Sequence, residues 1–287
     1  MKKIIKRLVV FFIGFPILLS AVVLFPHQNH LFLNLAVTVF SVLGAVEFRN
    51  ILTHKNLVVS IPEAIILGAL IPASWTAVLS FGLSRSIVQS TAVLGATWLL
   101  VSRVFSDEEK LLSSVSSITA GFAVLIYPGL FLAWIIKMAV FPRSEIVIAV
   151  FFLVAFLNDA AAWLVGMLFG KNNRGIVKAS PKKSLAGFIG GLAASVITGS
   201  LAAYLVPGAF TSTLMPSIPA GAVLGLLVGF AAILGDLGES VIKRSAGVKD
   251  SGTLILGRGG ALDSIDSLAL AAPIFYLVYL VLFIKAF

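Results

Sequence analysis

The chain has 287 residues, of which 59% are apolar and only 11% charged, with a mean hydropathy of +1.09. A soluble domain carries about 25% charged residues, so this composition excludes a soluble globular protein and specifies an integral membrane one. The lack of cysteine excludes disulfides and thiolate metal sites. The net charge of +9 is scattered between hydrophobic runs, which suits anionic lipid head groups and argues against a nucleic-acid partner.

In chain order, the first element is a basic start, Lys2, Lys3, Lys6 and Arg7, followed by the apolar run 8–25. That is the plan of a secretory signal, but the run is long and further spans follow at once, which predicts an uncleaved first helix. The apolar runs predict an all-α, polytopic membrane protein with about nine transmembrane helices, at about 8–25, 31–46, 57–78, 87–103, 112–138, 146–170, 185–206, 216–235 and 267–285. Pro128 in the fifth run predicts a kink, or a split that would make ten. We divide the chain into N-terminal membrane helices, 1–145, and a C-terminal region, 146–287, that carries the motifs described below.

Loop charge favours nine. With the N-terminus inside, the cytoplasmic segments hold the four N-terminal cations, then Arg49 and Lys55, then Arg103 and Lys110. After these come Lys171, Arg174, Lys178, Lys182 and Lys183, and last Lys243, Arg244, Lys249 and Arg258. The external segments hold Arg85 and Arg143, with Lys137 and Lys285 near outer helix ends where they can snorkel. Both polar loops, 171–184 and 236–266, then face the cytoplasm, where nucleotides are available. No extramembrane stretch is long enough for a separate catalytic domain, so an active site must be built from helix ends and these loops.

Five of the twelve acidic residues fall in the second loop: Asp236, Glu239, Asp250, Asp263 and Asp266. A carboxylate beside hydrocarbon costs roughly 2.5–3.5 kcal/mol on insertion scales, so the cluster requires cations, and Lys243, Arg244, Lys249 and Arg258 lie within it. Asp236 and Glu239 are three apart, as are Asp263 and Asp266, so on a helix each pair shares a face. Hard divalent cations such as Mg²⁺ take one or two carboxylates together with water and substrate phosphates. Gly257-Arg258-Gly259-Gly260 lets backbone N–H groups approach a phosphate, although an ordinary turn has the same composition. Ser180-Pro181-Lys182-Lys183-Ser184 sets two cations before a span, as a positive-inside anchor also would. Asn158-Asp159 is a polar pair inside an apolar run, where it is not expected to face lipid. Glu63 reads as a structural, hydrogen-bonded carboxylate. His27 and His30 lack a third ligand and make a poor zinc site.

Taken together, these motifs resemble a family. Ser240-Val241-Ile242-Lys243-Arg244, then Lys249-Asp250-Ser251-Gly252, Gly259-Gly260 and Asp263-Ser264-Ile265-Asp266 are similar to the signature of phosphatidate cytidylyltransferases, the CDP-diacylglycerol synthases. Upstream, Gly235-Asp236-Leu237-Gly238-Glu239-Ser240, Asp159, Gly166, Gly170-Lys171, Ser180-Pro181-Lys182-Lys183, Gly187 and Gly190-Gly191 fit the same pattern. The resemblance implies a membrane nucleotidyltransferase of phospholipid biosynthesis that uses CTP, phosphatidate and Mg²⁺, with its site facing the cytoplasm. Asp236 and Asp263 would be the metal ligands. Lys243, Arg244, Lys249, Asp250 and Asp266 would complete the catalytic set. Asp159, Ser180, Lys182, Lys183, Glu239, Ser240, Gly259 and Gly260 would bind substrate. A homodimer is compatible with this reading.

The chain departs from the pattern at Arg258 for a histidine, Leu256 for a proline, Ser264 for an arginine, Ser184 for a threonine and Ala186 for a glutamate. These departures fit a divergent or catalytically impaired homologue that acts on or binds another phosphorylated lipid. A transporter of an anionic substrate also needs buried charge, but it leaves the clustered carboxylates unexplained.

Overall fold

The structure is a computed structural model that describes residues 13–104, 106–212, 214–255 and 259–284. The basic N-terminal cluster, the start of the first expected span, Arg258 and Lys285 lie outside the described residues.

Helix dominates the described residues, with only two isolated β-bridges, Arg174 to Ser184 and Ile255 to Gly259. The helices are α1 (Phe15–Leu24), α2 (His27–Thr53), α3 (Ile61–Phe81), α4 (Ser86–Val101), α5 (Glu108–Leu112), α6 (Ser114–Val124), α7 (Phe131–Lys137), α8 (Ser144–Phe169), α9 (Leu185–Leu205), α10 (Ser217–Ser245) and α11 (Leu262–Phe283). A π-helical turn, Leu125–Leu130, joins α6 to α7, so that Ser114–Val140 is one apolar span. Among the described residues seven helices are long and apolar enough to cross a bilayer, and these match seven of the expected spans. The other two expected spans correspond to the shorter apolar helices α1 and α4, of 10 and 16 residues. Large apolar side chains are exposed on helix after helix, among them Phe81, Trp98, Leu168, Phe169 and Leu205. Water would penalise such a surface, whereas lipid tails accept it. The protein is integral to the membrane.

Among the described residues, three helix boundaries differ from the sequence expectation by five residues or more. Helix α2 runs to Thr53, seven residues past the expected end at 46, so Glu47 is helical. Helix α10 runs ten residues beyond the apolar stretch that ends at 235, so Asp236, Glu239, Ser240, Lys243 and Arg244 are helical rather than in a loop. A hydropathy window stops at the first charges, but nothing in 236–245 breaks a helix, and the backbone first turns left-handed at Gly247 (φ 74°). Helix α11 starts five residues before 267, which puts Asp263 in its first turn.

The chain packs as two compact units: Met1–Lys137 with Ile242–Ile265, and Met138–Val241 with Asp266–Phe287. The motifs of the 146–287 region are therefore distributed over both.

In the first unit α2 packs along α3. Ser60 caps α3, accepting from the Glu63 N–H at 3.3 Å, and Glu63 pairs with Arg103 at 3.1 Å, the structural role expected of it. Pro128 cannot donate a backbone hydrogen bond, and the π turn takes up the resulting mismatch. The Ser41 hydroxyl lies 2.7 Å from both the Pro128 and the Gly68 carbonyl oxygens, so it can satisfy either within the bundle.

In the second unit α8 packs along α9. Ser184 caps α9 by accepting from the Gly187 N–H at 3.1 Å. Asn158 is fully buried on α8, and its Nδ2 donates to Ser195 Oγ at 2.8 Å and to the Gly229 carbonyl at 3.3 Å, tying α8 to α9 and α10. A cluster of Phe141, Phe151, Phe210, Phe275, Tyr276 and Tyr279 fills the remaining core. Tyr279 buries its hydroxyl there by donating to the Ala209 carbonyl at 2.6 Å.

Candidate functional site

The sequence-predicted residues fall into two charged clusters, one in each unit. In the second unit the cluster is made by α8, the loop before α9, α10 and the start of α11. Lys183, the last cation of the Ser-Pro-Lys-Lys run, places Nζ 2.5 Å from Asp236 Oδ2, and both side chains keep about a quarter to a third of their exposure (26% and 31%). Glu239, one turn further along α10, is 1% exposed. Asp266 lies within electrostatic reach of Asp236, Glu239 and Asp159. Ser267 links α11 to α8: its hydroxyl donates to Asp159 Oδ2 at 3.2 Å, and its N–H donates to Asp266 Oδ1 at 2.6 Å. Gly235 lets α11 approach this closely, because a Cβ there would meet the Asp266 carbonyl oxygen at 2.5 Å. Four carboxylates gathered in an apolar surrounding repel one another, which favours a cation or cationic side chains among them.

In the first unit the cluster is tighter. Lys243 Nζ lies 2.5 Å from Asp263 Oδ1, and the two side chains are only 10% and 7% exposed. Asp263 Oδ2 accepts from the Gly260 N–H (2.7 Å), the Ser251 N–H (2.9 Å) and the Ser251 hydroxyl (3.0 Å). Gly259 has φ 120°, a conformation that suits glycine and turns the chain back over the Asp263 carboxylate. The same loop is held by Glu47 of α2, which accepts from the Ser251 hydroxyl (2.8 Å), the Ala261 N–H (3.0 Å) and the Leu262 N–H (2.9 Å).

Sequence reasoning missed Glu47 and Ser267. Glu47 sits just past the expected end of the second span, and its one available signal was a lone carboxylate between apolar residues. Of the remaining predicted residues, Lys182, Lys249 and Asp250 are exposed. Arg244 is also exposed and donates to the Val248 carbonyl at 3.3 Å. Ser180 and Ser240 are half-buried. Two of the departures also have local accounts. Ser264 donates its hydroxyl back to the Gly260 carbonyl at 3.3 Å, and the Ala186 N–H donates to Asn173 Oδ1 at 3.4 Å.

Among the described residues no three acidic or histidine side chains converge on one point as a ready-made metal site. The donor set nevertheless suits Mg²⁺, which takes hard oxygens and draws most of its remaining ligands from water and phosphates.

These features define a polytopic α-helical membrane protein with paired carboxylates and lysines at its helix ends. The chain belongs to the cytidylyltransferase family, whose model matches residues 5–282. It is 37% identical over 143 residues to a phosphatidate cytidylyltransferase of Synechocystis, covering 50% of this chain and 46% of that one. It is 36% identical over 159 residues to the phosphatidate cytidylyltransferase of Aquifex aeolicus, covering 54% of each. A third such relative, from Brucella melitensis, is 32% identical over 203 residues, covering 64% of this chain and 72% of that one. The chain thus spans about half the length of the first two relatives.

Proposed function

We propose that this protein transfers the cytidylyl group of CTP to phosphatidate, releasing pyrophosphate and forming CDP-diacylglycerol. Membership of the cytidylyltransferase family over residues 5–282 carries the proposal, and the names of the relatives support the choice of phosphatidate as acceptor. A lipid phosphate oxygen attacks the α-phosphorus of CTP, a new P–O bond forms, and the bond to the bridging oxygen of the β-phosphate breaks.

Each of two signature aspartates is held by a lysine: Asp236 by Lys183 and Asp263 by Lys243. Such pairs can exchange partners. When a triphosphate or lipid phosphate arrives, each ammonium can turn from carboxylate to phosphate oxygen, where positive charge stabilises the transition state. Asp236 in the second unit and Asp263 in the first, each so released within its own cluster, are each a candidate carboxylate ligand for Mg²⁺. When bound, the metal supplies charge neutralisation and orientation for in-line attack. Asp159, Glu239 and Asp266 orient Lys183 and Asp236 within their unit, while exposed Lys182, Arg244 and Lys249 attract the anionic substrates. The distribution of loop cations supports a site that opens to the cytoplasm.

A second reading, a homologue adapted to a different phosphorylated lipid, is favoured by Ser264, whose hydroxyl turns back onto the chain where the family pattern has a cation. One assay separates them. Purified protein with CTP and Mg²⁺ should convert phosphatidate to CDP-diacylglycerol. A product formed only from another lipid selects the second reading, and no CTP-dependent product from a panel of phosphorylated lipids defeats both.

A further inference from the structure

Glu47 stands on α2, 204 to 215 residues before its partners, yet it holds residues on either side of the turn that leads into α11. The first N–H groups of any helix lack intrahelical acceptors. At α11 those of Ala261 and Leu262 are met by Glu47 rather than by a local capping side chain. The carboxylate also fills the space beside two glycines. The three atoms nearest a Cβ on Gly252 would all belong to Glu47, with Oε1 at 2.5 Å and Cδ at 2.9 Å, and a Cβ on Gly260 would overlap Glu47 Oε2 and Ser251 Oγ. The Ser251 hydroxyl then lies between two carboxylates, 2.8 Å from Glu47 Oε2 and 3.0 Å from Asp263 Oδ2, and it has a single hydrogen to share.

We infer that Glu47 is a positioning residue for Asp263 and Lys243: it fixes Ser251 and the Gly260–Leu262 turn so that Asp263 keeps its place when Lys243 transfers to a phosphate. The inference rests on the cytidylyltransferase reading for its link to turnover, but the order of the loop is independent of that reading. The reason is geometric. Without Lys243, Asp263 is left with donors from Ser251 and Gly260, and both residues abut Glu47. An amide at position 47 offers one acceptor oxygen where three donors converge, so it cannot hold the loop in the same way.

The test uses the full-length protein in lipid nanodiscs. Glu47→Gln should lower kcat at least about tenfold and raise the Mg²⁺ concentration for half-maximal turnover, while KM for phosphatidate stays within about twofold of wild type. Gly252→Ala should mimic it, because the added methyl meets Glu47 first, and should have little further effect in a Glu47→Ala background. Independently of activity, backbone hydrogen exchange at 259–264 should quicken about tenfold or more in Glu47→Gln, with exchange in α8 unchanged. Wild-type kcat and Mg²⁺ dependence in Glu47→Gln, or additive effects of Gly252→Ala and Glu47→Ala, would overturn the link to catalysis. Unchanged exchange at 259–264 would overturn the positioning itself. A wild-type protein that makes no CTP-dependent product sinks the proposed function, and the exchange measurement then decides the role of Glu47 alone.

Discussion

Lys183 Nζ and Asp236 Oδ2 stand 2.5 Å apart across 53 residues of sequence, joining the loop before α9 to the cytidylyltransferase signature on α10. Part-exposed pairs of this kind contribute little to stability, about 1 kcal/mol or less, so their importance should be chemical. Lys183→Met should therefore leave thermal unfolding close to wild type while lowering turnover about 100-fold, the scale of losing one charge-stabilising donor. Asp236→Asn should behave alike and abolish Mg²⁺-stimulated activity. Normal turnover in either variant removes that residue from the reaction.

The Lys243–Asp263 pair should behave differently, because both side chains are nine-tenths buried or more. Removing one partner of a buried pair costs about 3 kcal/mol. Asp263→Asn and Lys243→Met should each lower the unfolding midpoint in detergent and eliminate activity. The double variant should lose less stability than the sum of the two, since neither charge then remains. Additive losses would show that the two groups do not depend on each other.

Asn158 supplies a prediction about folding alone. Its amide crosslinks Ser195 and the Gly229 carbonyl inside the second unit. Intramembrane hydrogen bonds contribute about 0.6 kcal/mol on average and at most about 1.7 kcal/mol. Asn158→Ala should cost about 1 kcal/mol plus the cavity, and Ser195→Ala should cost less in its presence than in the wild type. Equal effects of Ser195→Ala in both backgrounds would argue against the crosslink.

Orientation is testable by single cysteines, since the chain has none. Lys178 and Thr211, both exposed, flank α9, whose 21 residues span about 30 Å. Lys178→Cys should react with an impermeant maleimide only from the cytoplasmic side and Thr211→Cys only from the other. The reverse pattern would invert the proposed membrane orientation, and labelling of both from one side would mean that α9 does not cross.

Part of the candidate site's local geometry was legible as spacing. Asp236 with Glu239 and Asp263 with Asp266 were expected to share helix faces, and both pairs lie on helices, because three-residue spacing is a property of the helix itself. The length of α10 was not legible, since hydropathy marks where the membrane stops rather than where the backbone ceases to be helical. Glu63 was recognisable as a structural carboxylate, and Arg103 confirms it in that role. Glu47, likewise a single carboxylate between apolar neighbours, instead accepts hydrogen bonds from Ser251, Ala261 and Leu262.

The sequence by itself determined membrane residence, helical class, the order of the spans and the family motifs, because each depends on composition or on neighbours within a turn or two. Only the tertiary structure decided which cation meets which carboxylate. Lys183 meets Asp236 across 53 positions, and Glu47 meets Ser251 across 204. Such partners are selected by the cost of leaving a charge or a helix-end N–H unsatisfied in an apolar surrounding, and that cost arises only when distant segments have packed together.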